Sequence, residues 1–313
     1  MQCSSSERRF NDLREETDMG GRFGRLLTAM VTPFKKNQEI DFEGAATLAR
    51  QLVEDGNDAL VICGTTGEAP TLSSQEKVEL WKAVKQAVDV PVIAGTGSYC
   101  TRSTIELSVK AQQAGADALL LVAPYYNKPN PLGLLEHFKA VHEATDIPIM
   151  LYNIPSRTGI EIPVSVLREL AELPRMAAVK QSLPIDPVSR LESQLALSSA
   201  ELETYSGDDS QTLPQLAVGG QGVVSVAGHV AGRQIKQMVD AFFAGEVEKA
   251  ASIHKKLFPL FEVLFITCNP VPVKHALKLM GRPAGGVRLP LGPASKEQER
   301  QVEAVMREVG ILS

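Results

Sequence analysis

Short apolar and β-branched runs recur along the chain at a steady interval. They are Leu26–Val31, Ala59–Cys63, Pro91–Ala94, Ala118–Ala123, Pro148–Tyr152, Ala177–Lys180, Leu202–Ser206 and Gly222–Val226, beginning on average about 28 residues apart. Most are continuously apolar rather than alternating, the pattern of parallel strands buried on both faces. Stretches with helical spacing separate them. Ser73-Ser74-Gln75-Glu76 sets a serine three residues ahead of a glutamate, a capping box that opens the helix bearing Trp81 and Val84. Thr101 opens another helix, which runs to Ala114 and stops at Gly115, and Asp208 is suited to N-cap a third.

Eight strands alternating with helices allow a closed (β/α)8 barrel or an open doubly wound sheet. The count, and a span close to the ~250 residues usual for such barrels, favour the closed TIM barrel. After the eighth unit the pattern is helical only, near 247–266, 271–281 and 295–309. The expected organisation is therefore a poorly ordered extension over 1–24, a catalytic (β/α)8 barrel over 25–245, and a C-terminal helical appendage over 246–313.

Composition narrows the function. Of 313 residues, 32 are Lys or Arg and 37 are Asp or Glu, a net charge of −5 that argues against a nucleic-acid partner. No apolar run approaches the ~20 residues that cross a bilayer, so no membrane partner is expected. Cys3, Cys63, Cys100 and Cys268 stand far apart, which fits a reducing, cytoplasmic setting. The first 24 residues lack a signal-peptide apolar stretch, and their mixed charge does not suit a transit peptide; Met19 is an alternative start.

Polar residues gather where the strands end. Thr65 and Thr66 follow the second run, Tyr125 and Tyr126 the fourth, Tyr152 closes the fifth, Lys180 the sixth, and Gly207 and Asp208 follow the seventh. In a barrel these ends share one rim, where such enzymes place their chemistry. A lysine at its ordinary pKa of ~10.4 is protonated near neutral pH and a poor nucleophile. Burial favours the neutral amine, which attacks carbonyls to form an imine, an electron sink. A lysine snorkelling from a strand end is the plainer reading of Lys180 taken alone. Tyr152, one strand earlier, has a phenol suited to moving protons to and from such an imine. Gly64-Thr65-Thr66-Gly67-Glu68 can face backbone N–H groups and two hydroxyls towards a small carboxylate, and it lacks the lysine of a phosphate loop. Arg157 could clamp a second carboxylate bidentately. Gly95-Thr96-Gly97-Ser98-Tyr99-Cys100 imitates a dinucleotide loop but ends in cysteine where close packing needs Gly or Ala. His137, His142, His229, His254 and His275 form no H-x-x-x-H pair, and no metal is expected.

Together these segments resemble the dihydrodipicolinate synthase / N-acetylneuraminate lyase family of class I, lysine-dependent aldolases. The resemblance runs from about Leu26 to Leu312. It is carried by GTTGE (Gly64–Glu68), AGTG (Ala94–Gly97), PYYNKP (Pro124–Pro129), LYNIPSRTG (Leu151–Gly159), VK (Val179–Lys180), SGDD (Ser206–Asp209), GVVSV (Gly222–Val226), NPVPVK (Asn269–Lys274) and RLPL (Arg288–Leu291). SRTG after the tyrosine resembles the dihydrodipicolinate synthase branch, whereas sugar-acid aldolases usually lack that arginine. The resemblance implies condensation of pyruvate with L-aspartate 4-semialdehyde to 4-hydroxy-tetrahydrodipicolinate, in diaminopimelate and lysine biosynthesis. It makes Lys180 the imine-forming lysine and Thr66, Tyr152 and Tyr126 a proton relay, with Tyr126 supplied by a neighbouring subunit. It assigns Thr65 and Thr66 to the pyruvate carboxylate, Arg157 to the semialdehyde carboxylate, the Val224 carbonyl to the pocket wall and Gly207 and Asp208 to the far rim. No cofactor is implied, and the assembly implied is a homotetramer, a dimer of dimers.

Two positions depart from the family pattern. Gln181-Ser182 follow the lysine where many relatives carry Glu-Ala. Ser103 stands where lysine-sensitive relatives have a carboxylate, with Tyr99, Ser74 and Lys77 at other positions of that pocket, so lysine is expected to bind poorly unless Glu106 substitutes. The competing readings are an aldolase for a sugar acid, a non-catalytic oxo-acid sensor and, disfavoured by Cys100, a nicotinamide oxidoreductase.

Overall fold

The structure is a computed structural model that describes residues 21–198 and 200–312. Its eight strands are β1 (Leu26–Ala29), β2 (Ala59–Ile62), β3 (Val92–Gly95), β4 (Ala118–Val122), β5 (Ile149–Asn153), β6 (Met176–Gln181), β7 (Glu203–Ser206) and β8 (Gly222–Ser225). All pair in parallel in chain order and close into a barrel, Leu27 of β1 lying opposite Val224 of β8. This is the closed (β/α)8 arrangement and not the open sheet. Every strand is buried almost throughout because its two faces meet two different cores. Leu27, Val61, Ile93, Leu120, Met150, Ala178, Tyr205 and Val224 fill the lumen, while Leu26, Leu60, Ile62, Val92 and Val179 pack under the helices. That double burial is why the strands read as unbroken apolar runs.

The helix Ser74–Lys85 begins with the expected capping box, Ser73 and Glu76 each satisfying the other's backbone N–H. The helix Thr101–Gln113 ends just before Gly115, whose φ of +90° suits only a residue without a Cβ. Asp208 does cap, but it caps a single 3₁₀ turn, Asp209–Gln211, which runs into the helix Thr212–Ala217. After the barrel come the helices Val247–Val263, Val271–Leu279 and Lys296–Glu308.

Residues 1–20 of the expected extension lie outside the described residues. Packing begins earlier than the expected boundary at residue 25. Arg22 N–H donates to both carboxylate oxygens of Glu203 at 2.9 and 3.0 Å, Phe23 is buried against Tyr205, and the Tyr205 hydroxyl donates to the Gly24 carbonyl at 3.0 Å. These contacts close the barrel at the N-terminal ends of its strands.

His229 pins the opposite end of β1 to the loop after β8. Its Nε2 accepts from Val31 N–H at 3.0 Å, so the ring proton is on Nδ1, which donates to the Val226 carbonyl at 2.8 Å. Protonating Nε2 breaks the first bond, and burial pulls the imidazole down to about 4; burial does the same to His137. Because the folded pKa lies below the unfolded one, the unfolded chain binds more protons between the two. Stability is therefore fully present above about pH 6.5 and is lost as pH falls towards 4. Urea unfolding at pH 7.5 and 4.5 is expected to show a loss on the order of 3 kcal/mol from His229 alone, and His229→Gln is expected to flatten that slope.

Candidate active site

Successive side chains of a strand point to opposite faces, so the parity that puts Ala178 in the lumen also puts Lys180 there, and sends Gln181 outward under the helices. Gln181 is buried on that outer side, where its backbone carbonyl accepts from Gln215 Nε2 at 3.4 Å. The neutral residue that departs from the family pattern therefore does not face the lysine. Lys180 lies opposite Tyr152 in the β5–β6 register and is only 4% exposed. Its Nζ rests 4.4 Å from the centre of the Tyr152 ring, and no carboxylate stands within ion-pair distance of it among the described residues. Burying an amine without a counter-ion is costly while it is charged, and the tyrosine ring face offsets part of that cost. Gly207 lies against the stem of this lysine. A Cβ there would meet Lys180 Cε at 2.9 Å and Cγ at 3.0 Å, and would also collide with Ser182 Oγ.

A cavity of about 620 Å³ opens at this end of the barrel, with Thr65, Tyr125, Tyr152, Arg157 and Thr158 in its wall. Arg157 sits on the short helix Pro155–Thr158, exposed and without a carboxylate partner among the described residues. The loop that carries it is closed by Asn153, whose Oδ1 accepts from Ile162 N–H at 2.9 Å while its Nδ2 donates to the Ile162 carbonyl at 3.3 Å. Thr65 lines the cavity, but Thr66 is buried behind it at 3% exposure and accepts a hydrogen bond from Asn269 Nδ2 at 2.9 Å.

Of the expected site residues, Thr65, Tyr152 and Arg157 line this cavity, whereas Thr66, Tyr126, Lys180, Gly207, Asp208 and Val224 do not. Tyr126 is 92% exposed and is held at a φ of +73°. Asp208 turns its carboxylate to Ser210, accepting from its N–H at 2.9 Å and its hydroxyl at 2.8 Å, and thus shapes the rim as a cap. Val224 is wholly buried in the lumen, one strand from Tyr205. Ser74, Lys77, Tyr99, Ser103, Glu106 and Lys110 form the other end of the same cavity, where Lys110 Nζ reaches Ser74 Oγ at 3.2 Å. Burial pulls the Lys77 ammonium below the usual lysine range.

Several residues that build the site stand in the sequence only as members of the family motifs, with no role assigned to them. Glu68 ends the glycine–threonine loop in the left-handed region, at φ +56°, and its carboxylate is fully buried. Lys274, in the helix Val271–Leu279, meets Glu68 Oε1 at 2.6 Å and the Gly286 carbonyl at 2.6 Å, while Arg288 N–H donates to Glu68 Oε2 at 2.9 Å. Burial pulls Lys274 down to about 8 against the attraction of Glu68. Arg288 also pairs with Glu76 at 2.6 Å, which holds that carboxyl below its usual range. Asp209, buried between β7 and β8, accepts from Val226 and Ala227 N–H at 3.0 and 2.9 Å and from the Ser225 hydroxyl. The C-terminal segment is thus fastened directly to the loop that carries Thr65 and Thr66.

Known proteins share this architecture along nearly the whole chain. The chain is 51% identical over 294 residues to the 4-hydroxy-tetrahydrodipicolinate synthase of Moorella thermoacetica, covering 93% of this chain and all of that one. The crystal structure of a dihydrodipicolinate synthase from Bacillus anthracis matches with a TM-score of 0.88 at 44% identity, over 91% of this chain and 98% of that one. The enzyme from Cyanidioschyzon merolae, solved with lysine bound, matches with a TM-score of 0.89 at 43% identity, over 93% and 99%. The sequence profile of the dihydrodipicolinate synthetase family spans residues 22–309, and the chain belongs to that family.

Proposed function

We propose that the protein is a Schiff-base lyase that condenses pyruvate with L-aspartate 4-semialdehyde to 4-hydroxy-tetrahydrodipicolinate, in diaminopimelate and lysine biosynthesis. The observation that carries this reading is Lys180: a lumen lysine without a counter-ion, stacked on a tyrosine at the mouth of a barrel. Its Nζ adds to C2 of pyruvate, and loss of water leaves an imine. A methyl proton departs to give the enamine, whose terminal carbon attacks the semialdehyde carbonyl. The amine of the incoming substrate then adds to C2, expels Lys180 and closes the ring, so the only by-product is the water lost at imine formation.

Tyr152, against the lysine, moves protons to and from the carbinolamine and imine. Thr65, which lines the cavity with Tyr152, stands beside it in the relay. Thr66, seated deeper, holds the pyruvate carboxylate with the loop's backbone N–H groups. Gly207 leaves room for the lysine stem, the Val224 carbonyl shapes the wall, and Asp208 fixes the rim. Tyr126, exposed and conformationally strained, completes the relay from a neighbouring subunit of a homotetramer built as a dimer of dimers in the cytoplasm. Lysine binds weakly at the far end of the cavity, because its ammonium meets Lys77 and Lys110 there with Glu106 as the one opposing carboxylate in the wall.

Arg157 supports the semialdehyde as second substrate over a polyol, because a guanidinium without an internal partner is available to a carboxylate. Two measurements test the function together. Borohydride reduction with pyruvate should leave a stable adduct that peptide mass mapping assigns to Lys180. Arg157→Ala should raise the semialdehyde KM by about 10²-fold and leave the yield of that pyruvate adduct within about twofold of wild type. An adduct lost together with turnover in Arg157→Ala would assign the arginine to pyruvate instead.

A further inference from the structure

Thr66 has an unusual hydrogen-bond account. Its hydroxyl is buried, receives one hydrogen bond from Asn269 Nδ2 at 2.9 Å, and donates to no group among the described residues. A threonine hydroxyl carries one proton and two lone pairs. With a lone pair taken by the amide, the proton is the part left to offer, and a buried donor without an acceptor awaits one. Asn269 is itself 5% exposed and stands just before the helix Val271–Leu279, which the Lys274–Glu68 ion pair fastens to the same loop. The amide that sets the direction of the hydroxyl is thus held by an anchor of its own.

We propose that Asn269 is a positioning residue for substrate binding: by donating to Thr66 it turns the threonine proton towards the carboxylate of pyruvate. This rests on the reading that pyruvate is bound at Lys180. Asparagine is suited to the task because its amide can donate. An aspartate of the same shape can only accept, so it would draw the Thr66 proton to itself and turn oxygen lone pairs towards the substrate carboxylate. The polarity of that hydrogen bond matters more to the site than its presence.

The test compares Asn269→Asp and Asn269→Ala in the wild-type and Thr66→Ala backgrounds, reading KM for pyruvate, kcat and the borohydride-trapped adduct at fixed pyruvate. With Thr66 present, Asn269→Asp should raise the pyruvate KM by about 10²-fold and Asn269→Ala by about 10-fold, with kcat within about threefold. With Thr66 already replaced, both substitutions should change KM by less than about twofold, since they then have no hydroxyl to orient. Effects of equal size in the two backgrounds would overturn the proposal, as would a fall in kcat at unchanged KM. If Asn269→Asp does not fold, Asn269→Ala carries the same comparison without introducing a charge. Wild-type protein that gives no pyruvate adduct would remove the functional reading beneath it, whereas a normal adduct in both wild type and Asn269→Asp would remove this inference alone.

Discussion

Replacing Lys180 by alanine or methionine should lower condensation by at least ~10⁵-fold, the scale on which removing a covalent nucleophile acts, and should abolish the pyruvate adduct. Arginine in its place should be no better, because a guanidinium stays charged and forms no imine under these conditions. Lys180→Met should not weaken the fold. The wild-type amine is buried beside Tyr152 with no carboxylate to balance it, so Lys180→Met exchanges an awkward group for an apolar one of similar length. Its thermal unfolding midpoint should equal or exceed that of wild type, the usual relation where function is bought with strain. Turnover retained within tenfold would refute the imine mechanism; a large fall in the midpoint would mean that Lys180 is held for structure.

The second large effect concerns stability. Lys274→Met leaves the Glu68 carboxylate, which is fully buried, without its ion-pair partner at 2.6 Å. Breaking a buried pair from one side costs about 3–5 kcal/mol, most of it from the charge left behind. Urea unfolding should register that loss, and the pyruvate KM should rise because the loop bearing Thr65 and Thr66 has lost an anchor. Adding Glu68→Gln to Lys274→Met should recover at least half of the lost stability, since the abandoned charge is then gone. A double variant as unstable as the single one would mean that packing around Lys274, not charge, is what matters.

The eight strands were legible because each is buried on both faces and therefore writes an uninterrupted apolar run. Lys180 was legible because a charge ending such a run must either face the lumen or leave the sheet. Other features needed the fold itself. The parity that turns Gln181 away from Lys180 is visible in the sequence once β6 is known to continue to Gln181, but the run was read as ending one residue short. Thr65 and Thr66 are adjacent and chemically alike, and only the turn of the loop decides that Thr65 lines the cavity. The partners of that loop, Asn269, Lys274 and Arg288, lie about two hundred residues further along, and no local pattern encodes a pairing over that distance. Phe23 was assigned to a disordered tail because one aromatic among charges and glycines carries no periodic signal, yet it packs on Tyr205.

That aromatic contact, with Arg22 on Glu203 beside it, closes the base of the barrel, and the cavity opens at the other end. On the proposed mechanism both substrates and the product share that cavity. With Arg157 in its proposed role, a semialdehyde molecule that settles there too early stands in the way of late-coming pyruvate. Under that mechanism the shared cavity sets a queue, with the oxo acid first in and the aldehyde second.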